Sequence, residues 1–286
     1  MIKKIAFIGA TGMLGKPVAK QLLAAGFAVR ALVRDPEKAR KGLPGIELIQ
    51  GDLKNVSDIE NLVAGQDAVY VSLSVTQDER EKGWHAETDG MRNLLAAVKK
   101  NSIQRILLLS SLVQRYQGMN NFNWWVFSVK DESIALVKSS GIPYTVFYPS
   151  TFMESFLGKY KQGKRILLAG VSKYPMYFIA AEDYGRQVAH SLTIDGNQEY
   201  VIQGQDPLTQ EQAADIFLAN YKKEKLILSK LPLGMLKFFG LFSGTANYGA
   251  HIVEALNSYP EKFESEETWR KLGKPTITMK QFSEKA

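Results

Sequence analysis

The chain has 286 residues, with 36 lysines and arginines against 29 acidic residues, a formal charge of +7. It has no cysteine, which excludes disulfides, thiolate metal sites, iron–sulfur clusters and cysteine nucleophiles; its three histidines, His85, His190 and His251, include no pair at i, i+4 spacing, which argues against a metalloenzyme. With 45% hydrophobic and 23% charged residues the composition is that of a globular chain able to bury a sizeable core, not of a disordered, collagen-like or coiled-coil one.

In chain order, short apolar runs alternate with longer helical stretches. Strands are predicted at 5–8, 28–33, 47–49, 68–73, 105–109 and 144–148, and helices at about 13–25, 36–41, 56–64, 82–100 and 123–139. The strands are apolar almost throughout, as parallel strands covered on both faces must be. Gly26 suits the residue that ends the first helix. Asp35-Pro36 suits a cap and first residue for the second, and Ser57 with Glu60 suits a capping box on the third. This alternation implies an α/β fold with a doubly wound, Rossmann-type parallel sheet over residues 1–150.

After Pro149 the rhythm changes. Helices are expected at 183–192, 210–221 and 247–258 and a strand at 200–202, forming a smaller substrate-binding lobe over 151–286 with segments returning to the first domain. Phe152, Met153, Phe156, Met176, Tyr177, Phe178, Phe238, Phe239 and Phe242 cluster near the join, which favours an apolar pocket and a small apolar or aromatic substrate. The apolar stretch 231–242 is interrupted by Pro232, Gly234, Lys237 and Gly240 and is too short to span a bilayer core of ~30 Å; a lid, or a docking surface for a membrane or protein partner, is the expectation there. Charges elsewhere mostly alternate in sign, and Glu224 interrupts Lys222, Lys223, Lys225 and Lys230. A solvated surface is therefore expected, with no nucleic-acid partner. Met1-Ile2-Lys3-Lys4 runs straight into a strand with no secretory signal pattern, so a cytoplasmic protein is expected.

The sharpest motif is Gly9-Ala10-Thr11-Gly12-Met13-Leu14-Gly15, between the first strand and first helix. Gly9 permits the tight turn, Gly12 lets backbone amides approach a pyrophosphate, and Gly15 permits close packing of helix on strand. Thr11, Met13 and Leu14 contribute further amides at the helix start. About 20 residues on, an NAD site would carry an acidic residue for the ribose 2′-OH. Here Arg34 stands at that place with a guanidinium suited to a 2′-phosphate, and Asp35 is accounted for as a helix cap, so NADP(H) is favoured over NAD(H). Asp52 and Leu53 follow the third strand and suit the adenine, Asp52 equally suiting a turn; Ser72 ends the fourth strand at the same crevice.

With these motifs the chain resembles the atypical short-chain dehydrogenase/reductases, in their NmrA-like and isoflavone-reductase-like branch. The resemblance rests on the glycine loop, Val-Arg-x-Leu-Val-Arg at 29–34, Gly-Asp-Leu at 51–53, Ser110-Ser111, Lys130, Ser-Gly-Ile-Pro-Tyr-Thr at 140–145 and Glu182-Asp183-Tyr184-Gly185. It implies NAD(P) on the N-terminal half, Pro149 beside it, and a reductase acting on apolar or aromatic carbonyls, quinones or enones. Many members of the superfamily use a Tyr-x-x-x-Lys pair, whereas the residue four before Lys130 is Val126. Lys130 then serves the ribose or gives the proton itself, with Ser111 and Tyr148 as the other catalytic candidates. The alternatives are a helix-surface Lys130 paired with a neighbouring acid, and a non-catalytic redox sensor, regulator or assembly factor that binds the dinucleotide.

Overall fold

The computed structural model describes residues 1–286. The first half alternates strand and helix: β1 (Lys4–Ile8), α1 (Gly15–Ala24), β2 (Ala28–Val33), α2 (Pro36–Arg40), β3 (Glu47–Gln50), α3 (Val56–Val63), β4 (Ala68–Val71), α4 (Met91–Val98), β5 (Arg105–Leu109), α5 (Trp125–Lys138) and β6 (Tyr144–Pro149). The second half holds the short β7 (Lys161–Gln162), β8 (Arg165–Ala169), β9 (Met176–Tyr177), α6 (Ala181–Ser191), β10 (Gln198–Ile202), β11 (Pro207–Leu208), α7 (Gln210–Asn220), β12 (Ile227–Leu231), α8 (Leu233–Gly240), α9 (Gly244–Ser258), α10 (Glu266–Leu272) and α11 (Met279–Lys285).

Seven parallel strands form one sheet in the order β10-β6-β5-β4-β1-β2-β3, so the chain winds outward in both directions from β1. The Rossmann-type sheet is as the sequence indicates, and the order reverses between β1 and β4, the place where sheets of this kind bind ligands beyond the strands' carboxyl ends. Along β1, Ile5 and Phe7 enter the core under α1 and α6, while Ala6 and Ile8 enter the core under α3, α4 and α5. Both faces being covered, the strand has no polar position from Ile5 to Ile8.

Local signals set the boundaries. The Asp35 carboxylate accepts the Lys38 amide at 3.0 Å and Pro36 opens α2. The capping box expected at Ser57 and Glu60 is absent, because α3 starts two residues earlier with Asn55 at its cap and Glu60 reaches across to Lys100. The helix expected over 82–100 is split: a wide five-residue turn, Ala86–Gly90, precedes α4, and residues before it form a loop.

Parts of the second half return to the sheet. β10 is its seventh strand, Gly185 of α6 lies against Val18 and Gln21 of α1, and the buried hydroxyls of Tyr184 and Tyr70 meet at 3.0 Å. The rest packs around a small core of its own that includes Met153, Phe156, Phe178 and Phe217, beside a three-stranded sheet ordered β12-β8-β7.

Candidate functional site

The glycine loop lies at the reversal point. Gly9 has φ +91°, and a Cβ there would stand 2.0 Å from the Ser72 carbonyl oxygen, so β1 and β4 close on it only as glycine. A Cβ on Gly15 would stand 2.2 Å from the Gly9 oxygen. Gly12 differs: its Cβ would meet only the Gly9 oxygen, at 3.3 Å, and otherwise faces solvent. Packing of the chain therefore does not demand glycine at 12.

The Gly12 amide donates to the Gly9 oxygen at 3.1 Å, whereas the amides of Thr11, Met13, Leu14 and Gly15 find no acceptor in the chain. α1 has no side-chain cap and no acidic residue in its first turn. Four donors and the positive end of a helix dipole thus converge on one exposed loop, an anion cradle.

Beside it, Arg34 is exposed at the end of β2 and makes neither an ion pair nor a hydrogen bond, while Asp35 is occupied as the α2 cap. Asp52 lies in a local turn: its carboxylate accepts the Lys54 amide at 2.9 Å and its own amide donates to Asp58 at 2.9 Å. The Leu53 side chain is buried against Gly90. Ser72 joins through its backbone, its amide donating to the Ile8 oxygen at 2.9 Å.

Further along the crevice, at the ends of β4 and β5, a cavity is lined by Val71, Leu73, Glu87, Ser110, Lys130 and Ser133, among others. Lys130 of α5 donates to Glu87 of the wide turn at 2.5 Å, and their side chains are only 12% and 5% exposed. This is not the helix-surface pair with a neighbouring acid that the local sequence permitted; the partner lies 43 residues away. Burial pushes the Glu87 carboxyl above the ordinary carboxylate range although the Lys130 charge opposes it. Glu87 Oε2 and Ser133 Oγ are buried without any partner. Two orphaned polar atoms in one cavity mark a place for a polar ligand group or a water.

Neighbouring contacts hold this pair in place. The Ser110 hydroxyl donates to Gln114 at 2.7 Å, and Gln114 donates to Asp131 at 3.1 Å. The wide turn is pinned by His85, whose amide donates to Asp89 and whose ring meets Glu79 at 2.7 Å and stacks on Trp125. Burial works against the imidazolium, but the Glu79 bond and charge and the Glu81 carbonyl outweigh it and raise the His85 pKa. This histidine anchors a loop.

Other sequence candidates do not line this cavity. Ser111 is half-buried and its hydroxyl has no partner; its neighbour Ser110 is the serine lining the cavity. Tyr148 donates to Glu199 of β10 at 2.8 Å under the Arg115 guanidinium, and burial pushes its phenol pKa well up. Pro149 is buried at the end of β6 against Ile202. The aromatic pocket expected at the join is not formed by the residues named for it: Phe152, Met153, Phe156, Met176 and Phe178 are core, and Phe238 and Phe239 on α8 and Phe242 just after it are exposed.

Glu87 was legible in retrospect. With Met91, Leu94 and Val98 it falls at i, i+4, i+7, i+11, on the buried stripe of the region read as one helix. A carboxylate on a core stripe needs a cation, and Lys130 supplies it.

A family model described as NAD(P)H-binding matches residues 9–192. A chloroplastic protein of Arabidopsis thaliana is 30% identical over 163 residues, 51% of this chain and 58% of that one. The photosystem II assembly factor Ycf39 of Trieres chinensis is 26% identical over 257 residues, 87% of this chain and 78% of that protein. The Citrobacter sp. triphenylmethane reductase complexed with NADP(H) superposes with a TM-score of 0.73 at 21% identity, covering 99% of each chain.

Proposed function

Because the chain belongs to this NAD(P)H-binding family, we propose that it is an NADPH-dependent reductase acting on a small apolar or aromatic acceptor such as a quinone, enone or dye. The observation that carries this reading is that the carboxyl ends of three neighbouring strands hold both an unengaged anion cradle, after β1, and the buried Lys130–Glu87 pair, beyond β4 and β5, where Glu87 Oε2 and Ser133 Oγ lack partners.

The four free amides of residues 11 and 13–15 would hold the pyrophosphate, and the Arg34 fork the 2′-phosphate. Bound NADPH supplies a hydride. The protein's task is then orientation and a proton. Val126 stands where the superfamily's tyrosine would be and is buried in the core, so no phenol reaches the crevice from there. Lys130 Nζ takes over: it donates to the ribose hydroxyls or to the acceptor oxygen, and Glu87 keeps the ammonium aimed and returns a proton to it. Val71 and Leu73 give the same cavity an apolar wall.

Parallel calorimetric titrations with NADPH and NADH on wild type and Arg34→Ala test the cofactor assignment. Tighter binding of NADPH that falls to the NADH level in the variant is expected; equal affinity of wild type for both overturns the 2′-phosphate role. Turnover with a quinone, enone and dye panel tests the reaction. Lys130→Ala should lower kcat by roughly 100-fold or more, and a variant with full turnover removes Lys130 as proton donor. The missing tyrosine and the likeness to an assembly factor favour a second reading, a dinucleotide-binding regulator; NADPH binding without oxidation by any acceptor would establish it.

A further inference from the structure

We infer that α8 and the three-stranded sheet beside it form a docking surface for an anionic lipid membrane. No helix is long and apolar enough to cross a bilayer, so the contact is with one leaflet. α8 is apolar on nearly every side. Its inner face packs on α9, with Gly240 tight against Asn247 and Leu236 against Gly249. Its outer face carries Met235, Phe238 and Phe239 at i, i+3 and i+4, and Leu241 and Phe242 of the turn that follows are exposed beside them. Phe238 and Phe242 are 58% and 78% exposed, and the rings of Phe238, Phe239 and Phe242 meet no aromatic ring but one another. Solvent-facing apolar stripes of this kind mark interaction surfaces.

Charge identifies what covers it. Residues 158–174 and 221–243 hold ten basic residues and one acidic, a net of +9, which exceeds the +7 of the entire chain. These two segments are one body: β8 pairs with β7 and β12, α8 follows β12 directly, and Gly170 abuts Leu233. The single acid, Glu224, is paired to Lys161, and the α9 acid that reaches this body, Glu254, takes Lys237. Lys222, Lys223, Lys225 and Lys230 are exposed and unpaired. The sequence suggests alternating charge, but the fold gathers the basic residues onto the lobe that also bears the apolar stripe.

That combination fits acyl chains below and anionic headgroups around. A second copy fits less well, because a two-fold pairing of the stripe would bring the same lysines together. Nucleic acid fits the lysines but leaves the aliphatic Met235 and Leu241 in water.

Flotation with phosphatidylcholine vesicles, with and without phosphatidylglycerol, tests the inference on the full chain. Binding to the anionic vesicles is expected, lost in Phe238→Ser/Phe242→Ser and weakened about fivefold by each of Lys222→Gln and Lys230→Gln. The substituted side chains are exposed, so thermal unfolding should be unchanged and loss of binding cannot be loss of fold. Three results would overturn it: no flotation with either vesicle; a dimer in solution that the phenylalanine variant returns to monomer; or retention on a double-stranded oligonucleotide without flotation.

Discussion

At the scale of single residues, the three loop glycines do different jobs, and the difference is measurable. Gly9→Ala places a methyl 2.0 Å from a carbonyl oxygen in a left-handed backbone, so a loss of more than about 2 kcal/mol of stability is expected. Gly12→Ala meets only one atom at 3.3 Å, so stability should stay within about 0.5 kcal/mol while nucleotide affinity falls roughly tenfold. Denaturant unfolding and calorimetric binding on both variants check this. A Gly12→Ala protein binding NADPH like wild type would mean that no ligand approaches the loop there.

At the scale of elements, α6 is tied down by acids from two directions. Asp183 in its first turn accepts the amides of Thr276 and Ile277 at 3.0 and 2.8 Å, fastening the C-terminal segment. Glu154 caps α6 from outside, accepting the Ala181 amide at 2.9 Å, but its other oxygen is buried without a partner. Burial, aided by the Asp183 and Glu182 charges, raises the Glu154 pKa to about 7. A carboxyl raised this way binds its proton more tightly in the folded state, so stability is full below the unfolded pKa and declines as pH rises toward and through about 7. Glu154→Gln keeps an oxygen for the Ala181 amide and carries no charge. It should flatten that decline, with a gain on the order of 2 kcal/mol at pH 8. Unfolding at pH 5 and pH 8 measures it; an unchanged pH dependence would exclude Glu154 as its source.

At the scale of the whole molecule, the two halves share cores. β10, α6 and α10 contribute to the layer that buries one face of the sheet, and Ala255 and Tyr259 to the layer on the other. The small lobe's own core has only twelve buried residues, drawn from three separated stretches of chain. Such a core is too small to stand alone. Calorimetry should therefore show one transition, and two resolved transitions would mean that the lobe unfolds independently.

What the sequence by itself determined follows from local rules. The inner strands β1, β4, β5 and β6 read as apolar runs because both faces of each are covered, and Asp35-Pro36 reads as a helix start because a cap acts over three residues. Likewise, the glycine spacing 9, 12, 15 serves one turn and the helix it opens. The short strands β9 and β11 carried no such signal, being two residues long and held only by each other across α6 and β10. Only the tertiary structure decided that Lys130 meets Glu87, that Tyr148 is spent on Glu199, and that the aromatics of α8 face outward. In each case the deciding contact, or its absence, spans elements that the chain brings together only by winding in both directions from β1. Periodicity reports whether a residue faces a partner; long-range packing chooses which partner, and leaves the outer face of α8 with none.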